Sequence, residues 1–320
     1  MQSTHFHLYS CSVPVMGKEE AIICNLHNAG YTTIPQFLCE ALQEYPELSV
    51  RELQDLYNDK DNSLPEYFDY LQEKQLGFYT DEPGLFPSME LQWHTPERLK
   101  HAVIRIDDLH RLDYGRIIDE LIATDCINID LWFTNYSNPD GIESLIKPFN
   151  NSSLRSFDIY MPYSSTTTPE KLAQLGQNCH KAADLVVFSA PAKKKVRKDR
   201  IYFTPRKLRD KKKAFKNIPR DKFIIYIEFF TESIQHNPYY NRKVCIDEHG
   251  LIKNCLTHTK DFGHINSTRL ATLPENNDFI ELWYACNDKI LDIQDSPFRY
   301  IWLNTHELQK VDKDLYRMIS

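Results

Sequence analysis

From about residue 102 onward, short strand-like runs alternate with amphipathic helical segments, and no other feature of this 320-residue chain narrows the possible folds as far. Strands are expected at 102–106, 127–133, 157–163, 185–189, 201–204 and 223–230. Helical periodicity marks 113–123, 139–147 and 168–182. The last helix is well signalled, because Thr168 suits a cap and Pro169 suits the first helical turn. Strands separated by helices cannot pair as hairpins, so the pattern predicts an α/β fold with a parallel sheet, open or partly closed as a barrel.

The first 84 residues follow a different plan. Two β-like runs, 5–11 and 21–24, are expected to form a hairpin through Pro14 and Gly17. Three short helices follow. Residues 34–45 place Phe37, Leu38 and Leu42 on one side. The tetrads Ser49-Val50-Arg51-Glu52 and Ser63-Leu64-Pro65-Glu66 both have capping-box spacing, in which a hydroxyl and a carboxylate reciprocally satisfy free amides at a helix start. With a strand at 76–79, the order is winged-helix-like. Residues 85–100, with Pro87 and Pro96, read as a linker. Beyond about 235 the chain is irregular, with a hairpin around His249-Gly250 and a helix near 278–290.

Several function classes are excluded by what the chain lacks. Its nine glycines contain neither G-x-G-x-x-G nor P-loop spacing, so neither common phosphate cradle is built. G-x-S-x-G, H-E-x-x-H and C-x-x-C are also absent. No stretch approaches ~18 apolar residues and the first residues lack a basic and apolar leader, so a cytoplasmic protein without membrane partners is expected. The eight cysteines are scattered and expected to be reduced; only Cys245 and Cys255 are spaced as a pair. The net charge of −7 conceals a division: residues 193–222 hold 15 Lys/Arg against 3 Asp/Glu, or +12, which leaves −19 elsewhere.

Four stretches near the end carry a family resemblance: the run from Asn241 to Cys255, Phe262-Gly263-His264-Ile265, Phe279-Ile280-Glu281-Leu282-Trp283, and Phe298-Arg299-Tyr300. Together they resemble a SPASM domain, which in radical SAM peptide maturases holds auxiliary iron–sulfur clusters. Ile23-Cys24-Asn25-Leu26, Phe68-Asp69-Tyr70-Leu71 and Asn237-Pro238-Tyr239-Tyr240-Asn241 narrow the resemblance to the SPASM-domain maturases of grasp-with-spasm peptide cassettes. It implies a winged-helix-like leader-recognition domain at 1–84, a linker at 85–100, a degenerate partial (β/α) barrel of radical-SAM-like type at 101–235 and a degenerate SPASM-like region at 236–320. It also implies two partners, a ribosomally made precursor peptide and an ATP-grasp ligase that crosslinks its side chains.

The chain departs from this family where the chemistry should lie. A radical SAM cluster needs C-x3-C-x2-C, which is absent, and residues 102–135 contain only Cys126. Because such clusters are held by about four thiolates, no S-adenosylmethionine cluster is expected. The SPASM-like end is depleted as well, with Ile293, Ser296 and Trp302 around the position where cysteines would be expected.

Two sets of candidate site residues follow. Cys245, Cys255, His258 and His264 have a donor set suited to zinc or a remnant iron–sulfur site, the thiols meeting across a hairpin through Gly250; the alternative is two packed cysteines beside surface histidines. Lys193, Lys194, Lys195, Lys211, Lys212 and Lys213 form either a docking surface for an acidic precursor or ligase, or a solvated loop face. Aromatic stacking partners there are limited to Tyr202, Phe203 and Phe215, so nucleic acid is not the expected partner. Carboxylates at Asp107-Asp108, Glu228 and Glu232 are expected at strand ends, where α/β sheets bind ligands or simply return to solvent. His5 and His7 are expected at the surface. Two functions are thus compatible with the sequence: a leader-binding component of graspetide-type peptide maturation that presents its precursor to the ligase without radical chemistry, or a metal-dependent peptide-modifying enzyme using the Cys245/Cys255 region.

Overall fold

The computed structural model describes residues 4–196, 200–207 and 223–319. They divide into two compact units that interleave along the chain. One contains 4–94, 223–238 and 285–319, the other 95–196, 200–207 and 239–284. This partition differs from boundaries at 84, 100 and 235. Residues expected to form a linker are packed: Met89 and Leu91 join one apolar cluster, while Leu99 is fully buried in another.

In the first unit, β1 (His5–Leu8), β2 (Ser12–Met16), β3 (Ala21–Asn25) and β4 (Gly30–Ile34) precede α1 (Gln36–Glu44), α2 (Val50–Tyr57), α3 (Ser63–Glu73) and β5 (Gly77–Thr80). The predicted hairpin is redistributed. β2 pairs with β3 and β3 with β4, whereas β1 pairs antiparallel with β5 across the whole helical segment. β3 is buried at every position because both of its faces are covered. Ala21 and Ile23 pack with Leu38, Phe68 and Leu71 of the helices, and Ile22 and Cys24 pack with Phe230 and Ile301 from the later segments. That accounts for its unbroken apolar sequence.

Only one of the two expected capping boxes forms. Glu52 N–H donates to Ser49 Oγ at 3.4 Å, and the Glu52 carboxylate accepts from Ser49 N–H at 2.8 Å. At α3, Ser63 lies inside the helix. The Asp59 carboxylate instead accepts from the amides of Ser63 and Leu64, both at 2.9 Å, and a charged acceptor suits the positive helix terminus better than a hydroxyl.

The second unit is built on an eight-stranded, mostly parallel sheet, as the alternation predicts. Its elements are β6 (His101–Ile106), α4 (Tyr114–Ile122), β7 (Asn128–Phe133), α5 (Pro139–Ile146), β8 (Ser156–Pro162), α6 (Pro169–Asn178), β9 (Ala182–Phe188), β10 (Lys194–Val196), β11 (Ile201–Phe203), β12 (Lys243–Ile246) and β13 (Ile252–Lys253). The strand order is β10-β11-β9-β8-β7-β6-β12-β13, parallel from β11 to β12, with an antiparallel strand at each end. One face is apolar and packs with the helices, through Ile104, Leu131, Phe133, Ile159 and Val187. The other carries the alternate residues of each strand.

The strand expected at 223–230 is not one. Phe223 makes a single bridge to Trp302, and α7 (Ile227–Gln235) begins four residues later, burying Phe229, Phe230 and Ser233. A continuous apolar run is equally compatible with strand or buried helix, and here packing decided. The helix expected near 278–290 is a single α-turn, Asn277–Ile280, followed by 3₁₀ turns. The last strands, β14 (Glu307–Asp312) and β15 (Leu315–Ile319), form a hairpin in the first unit. Among the described residues no helix is long and apolar enough to cross a membrane.

Candidate functional site

The first unit carries a groove of about 530 Å³ beside β1 and β2, closed on its other side by the end of α1. Phe6 and Leu8, Ser12 to Val15, and Leu42, Tyr45 and Leu48 are among its lining residues. Backbone polarity distinguishes its two strand edges. Tyr9 N–H donates to Leu76 O at 3.0 Å, which makes 9/76, 7/78 and 5/80 the hydrogen-bonded pairs of the β1–β5 ladder. The amides and carbonyls of Phe6 and Leu8 therefore point away from β5, toward the open edge. On that edge the Thr4 carbonyl accepts from Val50 N–H at 3.0 Å, and among the described residues no such bond engages Phe6 or Leu8.

β2 is different. Gly17 N–H donates to Glu20 O and Leu26 N–H to Cys11 O, so Ser12, Pro14 and Met16 face outward. Ser12 N–H already donates to Tyr9 O; Pro14 has no N–H, and its carbonyl accepts from Gln43 Nε2 at 3.0 Å; the Met16 carbonyl accepts from Arg299 Nη1 at 2.6 Å. This edge is blocked by the means proteins use against unwanted strand pairing. An extended segment entering the groove finds free partners on β1 and few on β2.

In the second unit, the polar face of the sheet gathers carboxylates from three neighbouring strands. Asp130 on β7 lies 3.0 Å from His101 Nε2 on β6, Asp158 on β8 is in register with Asp130, and Asp158 Oδ1 accepts from the amide of Asp184 on β9. Burial, together with the charges of Asp130 and Asp184, raises the Asp158 carboxyl above its ordinary range despite that amide. Trp132 and Tyr160 pack beside them, ring centroids 5.5 Å apart, and burial pushes the Tyr160 phenol up. Sequence reasoning missed this face, although Asn128 and Asp130 in one run, and Ser156 and Asp158 in the next, alternate with apolar residues and were its signal.

The hairpin expected through Gly250 is present, with Cys245 opposite Lys253 and Gly250 at φ +82°. Cys245 is 1% exposed, its sulfur donates to Asn254 O at 3.5 Å, and burial pushes its thiol up to about 12. Burial pushes Cys255 up as well, but the Thr257 hydroxyl and amide, the Lys243 ammonium and the Tyr239 hydroxyl outweigh it and bring the thiol below its usual value. Tyr239 Oη and Thr257 Oγ1 lie 3.6 and 3.4 Å from Cys255 Sγ, and the Lys243 ammonium sits 3.7 Å from the Tyr239 ring centre.

The two histidines are engaged elsewhere. His258 Nε2 is 3.4 Å from Tyr240 Oη, and His264 Nδ1 accepts from Asn266 N–H at 3.1 Å. Among the described residues, no group of three or more His, Cys, Asp and Glu is placed to hold a metal ion. The four candidate ligands thus do not converge as a Cys2His2 or cluster site.

The other candidate residues are dispersed. Lys193, just before the edge strand β10, and Lys194 and Lys195 on it are exposed, with Lys195 Nζ 4.8 Å from the Tyr202 ring centre; Lys211, Lys212 and Lys213 lie outside the described residues. Asp107 pairs with Arg111 at 2.8 Å, and Asp108 caps a turn by accepting from His110 N–H. Glu228 and Glu232 lie on α7 rather than at a strand end. His7 packs against Phe78 and Phe86.

Two solved structures of SuiB from Streptococcus suis, one of them bound to S-adenosylmethionine, are similar to this chain. The bound form is 11% identical and the match covers 94% of this chain and 93% of that one; the other is 10% identical and the match covers 94% of each. Both have a TM-score of 0.30, a level at which likeness carries no activity with it. No family model matches the chain, and no curated protein matches it.

Proposed function

We propose that this chain is a component of ribosomal peptide maturation: it binds the leader of a precursor peptide by strand addition along β1 and presents the peptide to an ATP-grasp ligase. The observation that carries this reading is the pair of outward-facing backbone groups at Phe6 and Leu8, set beside a groove whose other strand edge is blocked. Strand addition draws affinity from main-chain hydrogen bonds and specificity from pockets beside the edge, so it suits a flexible leader. The β1–β5 pair and the three helices serve in this reading as a winged-helix-like recognition unit, and the region after 236 as a SPASM-like remnant. Radical chemistry is not part of it, because the chain has no C-x3-C-x2-C. The exposed lysines of β10 steer the ligase, taken here as the acidic partner.

The reading is tested with a synthetic peptide of the leader half of the precursor encoded with this chain, N-methylated one residue at a time. Methylation removes a donor without changing a side chain. Strand addition gives a period-two pattern: affinity falls at every second position and holds at those between. Uniform tolerance to N-methylation would overturn it.

A further inference from the structure

We propose that Cys255 is a peroxide-reactive thiol: a small hydroperoxide oxidises its sulfur to the sulfenic acid, and the buried Lys243 ammonium makes it react ahead of the other seven cysteines. The proposed site lies within the second unit and does not depend on the leader-binding reading.

Lys243 carries the argument. It is 6% exposed on β12, and among the described residues its Nζ makes no hydrogen bond and no ion pair. The buried carboxylate of the same hairpin, Asp247, is already taken by Lys253 at 2.9 Å. A buried ammonium without a counter-charge is costly. What Lys243 meets instead is the Tyr239 ring, whose centre is 3.7 Å from Nζ and whose hydroxyl lies 3.6 Å from Cys255 Sγ. Its charge favours the anionic form of the Cys255 sulfur, which also has the Thr257 hydroxyl at 3.4 Å. Ionisation of Cys255 thus supplies the anion that the ammonium lacks, and the thiolate is the nucleophile in thiol oxidation.

The remaining thiols are placed differently. Six of them, Cys245 included, are buried. Cys11 is half-buried like Cys255, but it packs against the apolar cluster that contains Val15, Ile22 and Leu26. In the reaction the Cys255 sulfur attacks one peroxide oxygen, the S–O bond forming as the O–O bond breaks. The sulfur is oxidised by two electrons and the peroxide reduced; the departing hydroxide takes up the proton that the thiol released, leaving water.

The experiment exposes the full chain to less than one equivalent of hydrogen peroxide with dimedone present to trap sulfenic acid, and reads each cysteine by peptide mass spectrometry. Cys255 is expected to be labelled about tenfold faster than Cys11, with the six buried thiols slower still. Lys243→Met removes the charge at similar length and should slow labelling of Cys255 about tenfold, whereas Lys243→Arg should keep most of the rate, a rescue that a purely packing role for the stem would not give. Thermal melts establish that both variants are folded. Labelling of Cys11 first, equal labelling of the two, or an undiminished rate in Lys243→Met would overturn the proposal; should Lys243→Met fail to fold, the order of labelling in the unmodified chain decides it.

Discussion

Asp247 shows how one residue holds the β12–β13 hairpin. It is 4% exposed, its carboxylate lies 2.9 Å from Lys253 Nζ, and it accepts from the amides of His249 and Leu251 at 3.0 and 2.9 Å. Burial pushes this carboxyl up, but the ammonium and the two amides outweigh it and hold it below the usual carboxylate range. With the folded value depressed, the stability it contributes is complete above the unfolded value near ~3.9 and is lost as pH falls through the folded one. Asp247→Asn leaves Lys253 without its counter-charge and should cost about 3 kcal/mol at neutral pH, read from the urea midpoint. Below about pH 4 the wild-type and variant midpoints should approach one another. A gap that stays constant through the acid range would remove the carboxylate from this account.

At the scale of elements, the same hairpin depends on a backbone conformation that side chains rarely adopt. Gly250 has φ +82°, and a Cβ there would stand 2.7 Å from His264 Nε2. Gly250→Ala should destabilise by about 1–3 kcal/mol. Its effect should be local: faster amide hydrogen exchange at Gly250 and Ile252, which donate to Asp247 O and Gly263 O, with β7 and β8 unaffected. Unchanged exchange across 246–253 would show that the turn tolerates a side chain. β2 makes the complementary point, since a proline, a glutamine amide and a guanidinium close its edge while β1, four residues upstream, stays open.

For the whole molecule, the interleaving of the units changes what truncation can achieve. If residues 1–84 were a separable domain, deleting them would leave a folded remainder. Yet Phe230 and Ile301, at 1% and 0% exposure, belong to one cluster with Val15, Ile22, Cys24 and Leu26, and Phe223 stacks on Phe298 beneath the edge of the Tyr31 ring. Deletion would expose that apolar surface. The truncated chain is therefore expected to aggregate, eluting in the void volume on size exclusion. A monodisperse remainder with native-like circular dichroism would contradict the interleaved arrangement. Substitutions and modified peptides, rather than truncation, are the appropriate probes of the groove.

The parallel sheet was legible in the sequence because its signals are local: the strand-like runs at 127–133 and 157–163 and the helix opened by Thr168 and Pro169 each depend on a few neighbouring residues. The hairpin at Gly250 was legible for the same reason. The run from Phe223 to Phe230 carried no period, so only its packing decided that a helix starts at Ile227. The groove was hidden more deeply. Which backbone groups of Phe6 and Leu8 are free follows from the register of β1 on β5, some 70 residues apart, and which carbonyls of β2 are taken follows from Gln43 and Arg299. Likewise, the spacing of Cys245, Cys255, His258 and His264 says which donors are present, whereas their separation onto Asn254, Thr257, Tyr240 and Asn266 is decided by the tertiary fold. Local period and turn chemistry are written in adjacent residues; edge availability and donor convergence depend on long-range register, which a sequence pattern does not encode.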